Sequence, residues 1–255
     1  MSFDEVGERV WRRRFESLDF NVGVVEGDDG LLIIDTRASH GQADELRSEL
    51  LGLSDKPVRW VVNTHWHWDH TFGNARFPEA EIWGHETCRS MLVEHGDEMK
   101  EGAKQWLPEE FHEAVDEVEV VAPSRTFAER ASVAIGRDVL LDFHGLGHTD
   151  ADIVVRVPTA DVLFLGDLVE ESAPPAFGDA HPLAWPGTLA SIPLAGSMVP
   201  GHGDTVDRAF VARQLEELEA VARLAGEVAA GRDVEEASVE GPYPAEVMLT
   251  AFGRI

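Results

Sequence analysis

A single cysteine, Cys88, is all that 255 residues contain. One thiol removes any intrachain disulfide and any zinc knuckle built from cysteines. Its place in a predicted helix after Trp83-Gly84-His85 reads as a buried structural group rather than a nucleophile. Basic charge is scarce as well. Against 48 Asp and Glu stand 21 Lys and Arg, a formal charge of −27, and only three of those cations are lysines. Such a field repels nucleic-acid backbones and anionic membranes, and it disfavours polyanionic substrates unless bound cations override it locally. The acid excess suits a high-salt cytoplasm and equally an ordinary acidic protein. No run is long and apolar enough to cross a bilayer. Met1-Ser2-Phe3-Asp4-Glu5 lacks a basic n-region followed by an apolar segment, so a cytoplasmic location is expected. No repeat or low-complexity linker divides the chain, which is therefore predicted to form one domain over residues 1–255. It is expected to act on a small molecule, with no nucleic-acid or membrane partner; a homodimer is left open.

What is present is an alternation of strands and helices, which favours a layered α/β domain. Phe20–Glu26 and Leu31–Ile34 read as strands joined through Gly27-Asp28-Asp29-Gly30, and the second is apolar throughout, as in a central strand. Gln42–Leu51 reads as a helix. Val58–Asn63 and Ala80–Trp83 read as strands, Glu86–His95 as a helix, and Gly96–Val115 as a polar, helical stretch able to overhang a site. Further strands are predicted at Val118–Val121, Ser132–Ile135, Val139–Phe143, Ile153–Val157 and Val162–Leu165, and a short helix at Thr188–Ile192. A last long helix is expected from Asp204 or Thr205. Val211, Leu215, Leu218, Ala222, Ala225 and Ala229 make one apolar stripe along it, after which the chain reads as a short tail.

The densest chemistry lies in Thr64-His65-Trp66-His67-Trp68-Asp69-His70, after the strand Val58–Val62 and before the turn formers Gly73-Asn74. His65 and His67 are two apart, so in extended backbone they point to one side. Asp69 and His70 join that side only if the strand has ended, which places them in a turn or first helical turn. Imidazole and carboxylate together suit zinc, iron or manganese. Three other segments share the same design, an apolar strand ending in His or Asp beside Gly: His144-Gly145-Leu146-Gly147-His148, Leu165-Gly166-Asp167 and Pro200-Gly201-His202. Glycine lets the backbone turn sharply and approach a ligand closely, and strand-end loops on one sheet edge are where sites collect.

In these landmarks the chain resembles the metallo-β-lactamase superfamily over nearly its whole length: Ile34-Asp35-Thr36, the His65–His70 motif, Gly147-His148-Thr149, Gly166-Asp167 and Gly201-His202-Gly203 occur in the family's order. The resemblance implies a four-layer αββα sandwich. It assigns His65, His67 and His148 to one metal ion, Asp69, His70 and His202 to a second, and Asp167 to a bridge between them. Two zinc ions are expected, with iron or manganese as alternatives. The chemistry expected is hydrolysis by a metal-bound hydroxide, with Asp69 orienting the nucleophile and helping to move its proton. Asp35 is a candidate to hold the motif loop, and Asp150 or Asp152 to anchor the loop of His148.

Within that family the short tail argues against glyoxalase-like thiolesterases, and the acidic surface against nucleases. Trp66, Trp68, Phe72, Phe177, Trp185 and Trp106 offer aromatic area that is either cleft wall or core, while Asp179 and His181 sit in a Pro/Gly-rich loop that can face the cleft. A dinuclear hydrolase of a small ester, thioester, lactone or amide is expected. The alternative is an iron-dependent oxidoreductase of the same fold. Against it stand the absence of a flavin domain and the complete second ligand set.

Overall fold

The computed structural model describes residues 3–255. Two β-sheets lie face to face with helices on both outer surfaces, the expected αββα layering. The first sheet runs β1 (Asp4–Gly7), β2 (Val10–Phe15), β3 (Phe20–Glu26), β4 (Leu31–Ile34), β5 (Val58–Val62), β6 (Glu81–His85) and β7 (Arg125–Phe127), in that spatial order. Its pairs are antiparallel up to β4 and parallel from β4 to β7. In the second sheet, β8 (Arg130–Ala134), β9 (Asp138–Phe143), β10 (Ile153–Val157), β11 (Val162–Gly166) and β12 (Ser197–Pro200) are antiparallel neighbours except for the parallel β11–β12 pair.

Period-two alternation sorts the side chains of these wholly buried strands. Leu32 and Ile34 of β4 meet Val162 and Phe164 of β11 in the core between the sheets. Leu31 and Ile33 point outward, against Ala43, Leu46 and Leu50 of α1 (His40–Leu53). Leu163 and Leu165 point outward on the other side. There they meet Trp185 and Leu189 of α5 (Trp185–Ala190) and Val211, Leu218, Val221 and Leu224 of α6 (Arg208–Ala229). The remaining helices are α2 (Trp68–Thr71), α3 (Glu86–Trp106), α4 (His112–Asp116), α7 (Val234–Glu240) and α8 (Ala245–Phe252). Among the described residues, no helix is long and apolar enough to cross a membrane.

Several elements differ from the sequence expectation. Helix α3 runs on to Trp106, and Val118–Val121 forms no strand. Val118 and Val120 instead pack beneath α3 and α4, beside Phe72, Ala103 and Met99. Helix α6 starts at Arg208, where the side chain of Asp207 accepts from Phe210 N at 2.8 Å. Its buried stripe is Val211, Gln214, Leu218, Val221, Leu224 and Ala225, whereas Ala229 is exposed. Beyond it the chain adds α7 and α8, whose Ala237, Met248, Ala251 and Phe252 close the outer core of the second sheet. The C-terminal stretch is thus two helices rather than a short tail, and its brevity no longer bears on substrate.

Candidate metal centre

Strand ends assemble the site on one rim. At the end of β4, Asp35 takes a left-handed φ of 64°, a conformation that Asp tolerates better than most residues. Its Oδ1 accepts from Thr64 N at 2.8 Å, and its Oδ2 accepts from Thr64 Oγ1 at 2.8 Å and from His70 Nδ1 at 2.9 Å. One carboxylate therefore ties the turn after β5 to helix α2. His67 is the extended N-cap residue of α2, and Asp69 lies in its first turn, as the spacing predicts. Paired amides complete the frame: Asn74 Nδ2 donates to Asn63 Oδ1 at 2.9 Å, and Asn63 Nδ2 to Asn74 Oδ1 at 3.1 Å. At the end of β11, Gly166 has φ +53°, and a Cβ there would stand 3.0 Å from Thr64 Cβ. A Cβ on Gly201 would collide with Asp167 Oδ1. These two positions need glycine for the His65, Asp167 and His202 turns to meet.

The seven side chains predicted from sequence converge in two groups. His65, His67, His148 and Asp167 offer atoms within 4.8 Å of one another, and so do Asp69, His70 and His202. Asp167 joins the groups: its Oδ2 is 3.8 Å from His65 Nε2 and 3.5 Å from both His148 Nε2 and His202 Nε2, while its Oδ1 is 3.4 Å from His70 Nε2. Asp69 Oδ2 lies 3.3 Å from His202 Nε2 and 3.7 Å from His70 Nε2. None of His40, His85, His95, His112 or His144 enters either group.

Each imidazole has one nitrogen committed outward and the other turned in. His70 Nδ1 donates to Asp35, His148 Nδ1 to Ala176 O at 3.2 Å, and His202 Nδ1 to Leu18 O at 2.7 Å. His65 Nδ1 reaches Thr64 Oγ1 at 3.1 Å, whose own proton goes to Asp35. His67 is reversed: Nε2 donates to Asp179 Oδ2 at 3.2 Å, and Nδ1 faces His148 Nε2 at 2.8 Å. Such outward bonds fix the tautomer and orient the inner lone pair, as in histidines that bind metals. The inner atoms are left in need. His65 Nε2, His70 Nε2 and Asp167 Oδ1 are buried with no hydrogen-bond partner, a costly state that a bound cation relieves. The residues therefore fit a dinuclear metal-binding cluster.

Electrostatics divide the two groups. Burial, with the neighbouring histidines, pushes His65 well down and His148 down to about 3, so both are neutral donors. Burial also lowers His70 and His202, but Asp167 and its neighbouring carboxylates outweigh it and hold both well above the usual histidine range. Burial raises Asp167, and His70, His202 and His65 outweigh it in turn, leaving its carboxyl well below the usual range. Without cations, His70 and His202 thus carry protons at neutral pH, and a metal must displace them. Their pKa is raised, so the competition fades as pH rises. Affinity of the Asp69–His70–His202 group is expected to climb with pH by up to about tenfold per unit for each proton displaced. Calorimetry of metal uptake in buffers of different ionisation enthalpy should show proton release at pH 7; uptake with no proton exchange would contradict the assignment.

Around the centre, the sequence candidates separate. Asp152 holds the His148 loop by accepting from Thr149 N at 2.7 Å and Thr149 Oγ1 at 2.8 Å; burial still raises its carboxyl to about 7. Asp150 instead accepts from Trp66 Nε1 at 3.0 Å, and the Trp66 ring stands 4.4 Å from that of His67. Phe72, Phe177 and Trp185 are core, although Trp185 also meets the edge of His148 at 5.8 Å. Trp68 packs toward Phe72 and Ala103, and Trp106 is exposed away from any cluster. His181 contributes its backbone, N–H to Gly147 O at 2.8 Å. Sequence reasoning missed Phe20, whose ring edges against His70 at 4.7 Å and His202 at 5.4 Å, and Leu18 O. No local signal marks either, because both act across the fold.

Two outer carboxylates yield predictions. Asp35→Asn keeps shape but offers His70 Nδ1 a poorer acceptor, and is expected to weaken binding of one ion by about 10–100-fold. A melting temperature lowered with metal affinity intact would make Asp35 a fold residue only. Asp179→Asn acts on His67 and should cost the other group a similar factor, roughly 10–100-fold, read by competition with a chromophoric chelator. The bond to His67 lowers the carboxyl of Asp179, with Arg254 adding to the effect, and Arg254 Nε also donates to the adjacent Ala180 O at 3.2 Å.

Comparison with known proteins places this geometry in a family. Residues 20–230 match the model of the metallo-β-lactamase superfamily, and the chain belongs to that superfamily. It is 25% identical over 222 residues to a linear primary-alkylsulfatase from a Pseudomonas species, covering 72% of this chain and 41% of that protein. It is 26% identical over 265 residues to the 2,4-dinitroanisole O-demethylase subunit alpha of a Nocardioides species, covering 99% and 73%. In fold it is similar to a double mutant of the sec-alkyl sulfatase PisA1, with a TM-score of 0.79, 16% identity and coverage of 99% of this chain and 49% of that one. The chain thus spans less than half of the alkylsulfatases it matches.

Proposed function

We propose that this chain is a single-domain, dinuclear metal-dependent hydrolase of a small ester, thioester, lactone or amide. The observation that carries the reading is the set of inward, unpartnered donor atoms on His65, His70 and Asp167 at the junction of two ligand groups. His65, His67 and His148 would hold one ion, Asp69, His70 and His202 the other, and Asp167 both; zinc suits this donor set best. Bound there, the ions supply Lewis acidity and make water a stronger acid.

The chain's own residues supply the rest. Asp69 is the carboxylate with partial access to solvent, 13% exposed against 6% for Asp167. We assign it to orient the attacking water and accept its proton. Asp35, Asp179 and the carbonyls of Leu18 and Ala176 keep the imidazoles from rotating, so that the centre is organised before substrate arrives. Phe20 and Trp66 exclude water from two sides. The names of the relatives, an alkylsulfatase and an O-demethylase, support O-linked organic substrates as the first to test. A panel of alkyl sulfates, carboxylic esters, thioesters, lactones and β-lactams, run on metal-loaded and chelator-stripped protein, should give metal-dependent hydrolysis of at least one class. Equal rates with and without metal would end the proposal.

A further inference from the structure

The turn between β2 and β3 is bent against its own residue types. Leu18 and Asp19 stand side by side at φ 61° and 54°, a left-handed region that a leucine rarely enters. A bulky side chain keeps that shape only where its surroundings impose it. The shape yields two bonds across the seam between the sheets. Leu18 O accepts from His202 Nδ1 at 2.7 Å, and Asp19 O accepts from Gly203 N at 2.9 Å. His202 follows β12 of the second sheet, so one ligand of the Asp69–His70–His202 group is aimed by a turn of the first.

One side chain is placed to impose the turn. Arg14, near the end of β2, donates from Nε to Asp19 Oδ1 at 2.5 Å and from Nη2 to Asp19 Oδ2 at 2.8 Å. Its third nitrogen, Nη1, lies 2.6 Å from Asp204 Oδ1, two residues beyond His202. The planar fork thus joins the turn to the His202 loop in a geometry that the point charge of a lysine does not reproduce. Without it, Asp19 and Asp204 are like charges facing one another, and their repulsion pushes apart the two segments that the His202 bond must join. Buried Asn21 also holds the loop, through Nδ2 to Pro200 O at 3.0 Å and to Gly203 O at 2.9 Å, but it does not touch Leu18 or Asp19 with that side chain. A surface ion pair by itself contributes little; the effect of this one lies in what it aligns.

We propose that Arg14 is a positioning residue for the second metal ion: by forking onto Asp19 and reaching Asp204 it locks the left-handed Leu18–Asp19 turn against the His202 loop, so that the Leu18 carbonyl aims His202. The assignment rests on the dinuclear reading of the site. It adds to that reading a residue that touches none of the seven ligands.

The test is two measurements on the full chain, wild type and Arg14→Gln. Stepwise calorimetric titration with zinc should show affinity for one ion lowered about tenfold and affinity for the other within about twofold of wild type. Imidazole NMR, before and after zinc, reads the aim itself, with His202→Gln assigning the signal. Exchange of the His202 Nδ1 proton with water should quicken at least about tenfold, while that of His70, held by Asp35, keeps its rate. Arg14→Lys keeps the charge without the fork and should regain part of the loss; it decides alone should Arg14→Gln fail to fold. A folded Arg14→Gln protein with only a lower melting temperature, or with both ions and both imidazole protons affected alike, would overturn the proposal. Fewer than two zincs in the wild type would overturn the dinuclear reading and this one with it. Normal uptake by the wild type beside an indifferent variant overturns this one alone.

Discussion

Asp167→Asn is expected to turn two strong metal sites into one strong and one weak site, and to cut turnover by at least roughly a thousandfold. Two dications held side by side repel one another, and a carboxylate between them offsets that repulsion while fixing their spacing. Asp167 is placed for this role, with Oδ2 toward His65, His148 and His202 and Oδ1 toward His70. Its position after Gly166 offers a competing role as a mere turn residue. In that case the variant loses at most about 1–2 kcal/mol of stability and keeps both ions. Calorimetric metal titration separates the two outcomes, and a folded Asp167→Asn protein with two equally tight sites would refute the bridge.

His67→Ala should have the other large effect, a loss of metal-dependent hydrolysis by several orders of magnitude, on the order of 10³–10⁴-fold. His67 is the one imidazole of the centre that turns Nδ1 inward, and Asp179 holds it there. Its removal also leaves His148 Nε2 without the neighbour now at 2.8 Å. The first ligand group should therefore lose occupancy, not only rate. Full metal content with near-normal turnover in this variant would remove His67 from the ligand set.

Much of the site was legible because its signal is local. Two histidines at strand spacing, followed by a four-residue helix carrying Asp69 and His70, need no long-range information. The glycine-flanked strand ends at Asp167 and His202 repeat the same grammar. The fold was legible where strands are apolar on both faces, as in β4 and β11. It was lost where tertiary contacts override the pattern. Strand β2 went unassigned because it carries Arg12-Arg13-Arg14 where an apolar run would mark a strand. Yet Arg13 is buried against Glu49, with Nε and Oε2 2.5 Å apart, and Arg12 pairs with Asp4 at 3.0 Å and Asp204 at 3.3 Å. Strand β1 is a half-exposed edge with little to bury. Val118 and Val120 have strand-like composition, but their apolar area is used by α3 and α4 rather than by a sheet. Phe20 and Asp179 reach their histidines from 50 and 112 residues away, respectively, a distance that no spacing in one sequence reveals.

On the proposed reading, one folded chain holds two catalytic metal ions. Elemental analysis of protein purified from its own host, paired with chelation and re-addition of metal during an assay of the hydrolysis panel, tests it most directly. Two divalent ions per chain are expected, zinc foremost, with activity lost on chelation and restored only as the second equivalent binds. One tightly held iron per chain, with no hydrolysis at any metal loading, would contradict it.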